Sequence, residues 1–256
     1  MYGNQSYIGK PPNHTQEVDM TLQLQVAGKA MSSGLGWVNI LVYGMTGSGK
    51  SWLIGTSKKP LVILTEANGM ASIAHSNPNA IIATANTMED IDNILRGVKD
   101  GSIKKKHDFD VLAIDSLTEM QRMIKNRILK KAKRDKMQLQ DWGTLADEMI
   151  RYIRAIRDLP CHVVCTALLD QFIEDQSGTM HTQPSFEGKK TTAVISQFFN
   201  AVGFLYKEQQ DNDVAQRKLM FDGPQRVLCK PCHPVYGVIQ DPNMQDIINK
   251  LTKVEK

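Results

Sequence analysis

Nowhere along the 256 residues do about 18 apolar side chains follow one another, so a helical membrane span is not expected. The opening MYGNQSYIGKPPNH lacks the basic-then-apolar pattern of an export signal, and a cytoplasmic location is the expectation. Cysteine is scarce: Cys161, Cys165, Cys229 and Cys232 are too few and too late in the chain for the disulfide framework of a secreted domain. The stretch CKPCH has the spacing of half a zinc site or of haem attachment, but no second CxxC accompanies it, so neither role is expected. Cys161 and Cys165, inside the strand-like CHVVCT, are expected as small core residues. Also missing is an Asn-Lys-x-Asp run for guanine, which argues against GTP. Against these absences stand 41% hydrophobic residues, enough to bury the core of one large α/β domain. The net charge of +4 permits a nucleic-acid partner without requiring one.

Residues 1–17 are rich in Asn, Gln, Pro and Gly and are expected to form a mobile arm ahead of a single domain spanning 18–256. EVDMTLQLQV alternates Val18, Met20, Leu22, Leu24 and Val26 with polar residues, the period of a half-buried strand. Thereafter short apolar runs (VNILVY, PLVIL, AIIATA, DVLAI, CHVVCTAL) alternate with helical patterns, as in a parallel sheet covered on both faces. One helix opens at Thr87 to Asp90 and carries Ile91, Ile94, Leu95 and Val98; another runs from about Trp142 to Asp158. The last third is strand-rich, with AVGFLY, AQRKLMF and QRVLC, a turn at DGPQ, and a final helix capped by Asp241 with Pro242 in its first position.

VNILVYGMTGSGKSWL, residues 38–53, contains G-x-x-x-x-G-K-[ST] in full, between a predicted strand and a predicted helix. In such a loop Gly44, Met45, Thr46, Gly47, Ser48 and Gly49 direct backbone N–H groups at phosphate oxygens. Lys50 adds a positive charge for the outer phosphates, and Ser51 offers a hydroxyl to a magnesium ion. ATP with Mg2+ is therefore the expected ligand pair. An acidic partner is required at the end of a nearby strand, and DVLAIDSLTEM supplies Asp115 for the metal. Ser116 and Glu119 form a capping-box pattern, which gives Glu119 a structural reason to exist. Glu66, ending PLVILTEANG, is the favoured base to orient the attacking water, with Lys50 as its catalytic companion. Thr166, polar at the end of an apolar strand, is a candidate sensor of the γ-phosphate.

These residues, in this order, resemble a P-loop NTPase with a RecA-like core: a mostly parallel central sheet flanked by helices, plus a strand-rich C-terminal portion. More narrowly, VYGMTGSGKS, LVILTEANG, VLAIDSLTEMQ, QDWGTL, RAIRDLPCHVVCTAL and PSFEGKK...FFNAVGFLY resemble the phage nucleotide-binding ATPases of the RecA/RadA/KaiC-like group that includes the Sak-type single-strand annealing proteins. The likeness spans roughly residues 38–206. It implies ATP hydrolysis with Lys50, Ser51, Asp115 and Glu66 in the roles above, a homo-oligomer, single-stranded DNA and a single-strand DNA-binding protein as partners, and a host cytoplasm. Two features depart from that group. TALLD stands where relatives carry a sensor His, and HPVYGVIQ lacks their Lys-x-Arg finger, leaving Lys189 or Lys190 as candidates to complete a neighbour's site.

The helix after Asp115 turns basic from Arg122 on, with Arg122, Lys125, Arg127, Lys130, Lys131, Lys133, Arg134 and Lys136 against the single acid Asp135 in that stretch. Met120, Ile124 and Ile128 give it a buried stripe, so its other sides are either an ordinary solvated face or a footprint for a nucleic-acid backbone. Residues 170–190 form a long polar loop in which Phe172, His181 and Phe186 can stack on bases, or, for the two Phe, anchor the loop's ends. Three function classes follow: a DNA-dependent ATPase promoting annealing or recombination, a nucleotide-dependent assembly or loading protein, and a small-molecule kinase. The kinase fits least, because Glu66 and the strand-rich last third have no place in it.

Overall fold

A computed structural model describes residues 36–175, 177–209 and 215–253, and of Lys189 the backbone only. The expected arm at 1–17 and strand at 18–26 lie outside the described residues. Among the described residues nine strands are present: β1 (Asn39–Gly44), β2 (Pro60–Leu64), β3 (Ile81–Thr84), β4 (Val111–Asp115), β5 (His162–Ile173), β6 (Met180–Pro184), β7 (Ala201–Gln209), β8 (Ala215–Met220) and β9 (Val238–Gln240). Their order is β3-β2-β4-β5-β1-β7-β8-β9, with β6 beside β5. Pairings from β3 through β7 are parallel, whereas β7/β8, β8/β9 and β5/β6 are antiparallel. This is the α/β sheet of a P-loop protein with a strand-rich C-terminal edge, as expected from the sequence.

The period of two along each strand divides the core in half. Leu41 and Tyr43 of β1, Leu61 and Ile63 of β2, and Leu112 and Ile114 of β4 face one side. There they meet α3 (Met88–Lys99), α5 (Leu117–Ala132) and α6 (Leu139–Arg157). Ile40, Val42, Val62, Leu64, Val111 and Ala113 face the other, against α1 (Lys50–Gly55), α2 (Met70–Ser76) and α8 (Met244–Thr252). Two further short helices are α4 (Ser102–Lys106) and α7 (Lys189–Ile195). The Thr87–Asp90 capping box is present, satisfying two backbone donors at the start of α3.

Several expectations are corrected. AIIATA does form β3, but Ile81, Ile82 and Ala83 are only half-buried and Thr84 is exposed, since among the described residues no strand covers its far side. QRVLC forms no strand: it contributes one isolated bridge, Val227 to Thr182, and Lys230 just after it bridges to Val202. The final helix is capped by Asn243, whose side chain accepts from Asp246 N–H; Asp241 sits earlier, at φ 44°. Residues 170–190 are not a loop. β5 runs seven residues past Thr166 and folds back as β6, so that Phe172 lies opposite His181 with their rings stacked at 5.1 Å. Phe186 packs against the core and is an anchor.

Burial decides the stability test. Leu41, fully buried at the centre of the sheet, should cost about 2–5 kcal/mol when replaced by Ala, read from the midpoint of urea denaturation. Leu139→Ala, at a residue 90% exposed, should change it by no more than about 0.5 kcal/mol.

Candidate nucleotide site

Because β1, β2, β4 and β5 are parallel and in register, their carboxyl ends form one rim, where Gly44 lies level with Leu168 and Leu64 with Asp115. Ligands of open parallel sheets bind at such a rim. The chain leaving β1 coils through residues 45–49 and enters α1, with Gly47 and Gly49 at φ 79° and 103°. Gly44 has a different need for its missing side chain. A Cβ there would lie 2.2 Å from the Leu205 carbonyl oxygen of β7, so the reason is close strand packing and not access to phosphate.

Lys50 is buried inside the loop, its ammonium donating to the carbonyls of Gly44 at 2.8 Å and Met45 at 2.9 Å. Burial pushes its pKa below the ordinary lysine value, while the carboxylates of Asp115 and Glu66 pull it back up. Ser51 Oγ donates to Asp115 Oδ2 at 2.6 Å, and Thr166 Oγ1 donates to Asp115 Oδ1. Thr65 closes the arrangement: its hydroxyl donates to the Asp115 carbonyl at 2.9 Å and accepts from Ser116 N–H at 2.8 Å. The turn after Glu66 presses on the same carboxylate. A Cβ on Gly69 would lie 2.9 Å from Asp115 Oδ2 and 3.3 Å from Ser51 Oγ, so only glycine fits between them.

Around this cluster lies a cleft of about 570 Å³ lined by Thr46, Gly47, Gly49, Lys50, Ser51, Trp52, Glu66, Asn68, Gly69, Ala71, Ser72, His75, Asp115, Ser116, Leu168 and Arg217. That is the size of a pocket for a nucleotide-sized ligand. An all-oxygen pair, Ser51 Oγ and the Asp115 carboxylate, suits Mg2+, which when bound neutralises charge on the outer phosphates. Glu66 is in the lining and Glu119 is not. Ser116 does cap α5 by accepting from Glu119 N–H at 3.3 Å, but the Glu119 carboxylate turns away to Arg122 at 3.0 Å, so only half of the expected box exists.

The remaining candidates divide. Thr166 holds Asp115 in place, buried at 1% exposure. Lys190 pairs with Asp147 of α6 at 2.6 Å and is outside the cleft lining. Of the basic series, Arg122, Lys125, Arg127 and Arg134 are paired with Glu119, Glu187, Asp92 with Glu148, and Asp141 respectively. Lys130, Lys131, Lys133 and Lys136 are exposed. They lie at the far end of α5, 16 residues or roughly 24 Å of helix from Asp115. Thr65 and Arg217 were missed by the sequence reading. A threonine next to the candidate base was a visible signal for the first, whereas nothing in AQRKLMF tied Arg217 to the loop.

Fold and cleft together define a P-loop nucleotide-binding protein. The model of one family, described as AAA domain, matches residues 38–231, and the chain belongs to that family of ATPase-type domains. A search of curated proteins finds no match. Among the described residues no helix is long and apolar enough to cross a membrane.

The placement of the two glutamates sets an expected outcome. Glu66→Gln should bind ATP as the wild type does and lose about 10²- to 10⁴-fold in hydrolysis, whereas Glu119→Gln should hydrolyse near the wild-type rate in a phosphate-release assay. The reverse pattern would move the base to Glu119.

Proposed function

We propose that this is a RecA-like ATPase that binds single-stranded DNA through the β5/β6 hairpin and promotes annealing or recombination in phage DNA metabolism. Glu66 orients the attacking water, Lys50 and the loop N–H groups hold the phosphates, and Ser51 with Asp115 holds the metal. Homo-oligomers on DNA, acting beside a single-strand DNA-binding protein, belong to the same reading.

The observation that carries it is the physical continuity between cleft and hairpin. Thr166, bonded to Asp115, lies on β5, and the same strand continues into the hairpin. A second tie runs through the first turn of α5: Thr118 Oγ1 donates to the Ser185 carbonyl at 3.0 Å and accepts from Leu168 N–H at 3.0 Å. Gln121 adds a pair of bonds to the Glu187 backbone. Any shift of Asp115 between nucleotide states therefore pulls on both ends of the hairpin. At its tip Phe172, Ile173 and Met180 are exposed, an apolar and aromatic surface of the kind on which bases stack. The lysines at the end of α5 supply positive charge but are remote from the cleft, so they suit a backbone contact and not the coupling step. Their distance also counts against a kinase, whose basic lid must close over the phosphates.

ATP hydrolysis measured with and without single-stranded DNA across a salt series tests the reading. DNA should stimulate turnover, the stimulation should fade as salt rises, and Phe172→Ala should weaken DNA binding by about 1–3 kcal/mol. Turnover indifferent to DNA, or phosphate transfer to a small acceptor, would overturn it.

A further inference from the structure

The strand-rich last third brings one residue back to the phosphate loop. Arg217, on β8, crosses above Trp52 of α1 with its guanidinium carbon 4.5 Å from the ring centroid. It also rests against the loop itself, since a Cβ built on Gly49 would lie 2.7 Å from Arg217 Nε. Among the described residues that nitrogen is buried without a hydrogen-bond partner and the guanidinium has no ion pair. By contrast, each Arg of the basic helix and its extension, Arg122, Arg127 and Arg134, is matched to an acid. An arginine positioned by a tryptophan, lining a cleft and left with unused donors, is poised for a ligand anion.

The sheet order says which part of the ligand. Along the rim the sequence is β2 with Glu66, β4 with Asp115, β5 with Thr166, β1 with its loop, then β7 and β8 with Arg217. Glu66 and the Ser51–Asp115 pair thus mark the outer-phosphate end on one flank of the loop. Arg217 enters from the opposite flank, over Gly49, where backbone N–H groups cradle the inner phosphates. We infer that Arg217, braced on Trp52, is a nucleotide-binding residue that grips the inner phosphates of ATP and ADP alike, supplied by the same chain and not by a neighbouring subunit. It differs from a transition-state finger, which acts on the outermost phosphate and leaves ground-state binding unchanged.

The inference rests on the cleft being the nucleotide site, so the test begins with ADP binding to the wild-type protein by titration calorimetry in Mg2+. Arg217→Ala should weaken ADP about 10- to 100-fold, and should weaken ATP, measured in the Glu66→Gln background, by a similar factor. In steady state KM for ATP should rise while kcat changes little. Arg217→Lys, which keeps the charge but has no planar face to stack on Trp52, should recover part of the lost affinity. Wild-type binding of ADP with unchanged affinity in Arg217→Ala would overturn this inference alone. So would a fall in kcat at constant ADP affinity, or no recovery at all in Arg217→Lys. Failure of the wild type to bind ADP would overturn the nucleotide site as well.

Discussion

A carboxylate that is 8% exposed at the end of a central strand must have its oxygens satisfied, because an uncompensated buried charge costs several kcal/mol. Asp115 meets this demand by drawing in one hydroxyl from the helix after the loop, Ser51, and one from the neighbouring strand, Thr166. Thr65, from the strand on the other side, fastens its backbone. Four pieces of chain far apart in sequence are thereby fixed at one point on the rim, and Gly69 lets the turn after Glu66 close over them. The nucleotide site is largely a consequence of satisfying this one side chain.

Rigid placement of Asp115 also determines what the site can influence. β5 and the first turn of α5 both touch it, and both continue into the base of the β5/β6 hairpin through Thr166, Thr118 and Gln121. On the other flank the antiparallel edge, β7 with β8, is too far along the sheet to reach Asp115, yet long enough to lay Arg217 across the loop. One flank thus suits chemistry and coupling, and the other suits holding the ligand. An outward-facing lysine group at the far end of α5 is the third feature, separated from both by the length of a helix.

Much of this was legible from local pattern. The loop, its flanking strand and helix, Asp115 at the end of a buried run, and the Thr87–Asp90 start of α3 all depend on residues close in sequence, and each formed where the pattern put it. What failed was long-range. The hairpin looked like a loop because His181, Thr182 and Gln183 are polar, yet pairing with β5 satisfies their backbone and overrides propensity. Half of the basic series is paired: Arg122 meets Glu119 of its own helix and Arg134 meets Asp141 seven residues on, but the acids that meet Lys125 and Arg127 come from α3, α6 and the 185–188 turn, outside any local window. Arg217 was invisible for the same reason: 165 residues separate it from Trp52, and only the sheet order brings them together.

In the proposed arrangement the four strand ends form one triphosphate and metal site with Glu66 at its outer end and Arg217 at its inner end. A crystal structure with Mg2+ and a non-hydrolysable ATP analogue tests it most directly. The triphosphate should lie along residues 44–51, with the metal on Ser51 and Asp115 beside it, Glu66 facing the γ-phosphate through a water, and Arg217 on the inner phosphates. A triphosphate bound elsewhere, or one whose γ-phosphate faces Arg217 while Glu66 points to solvent, would contradict it.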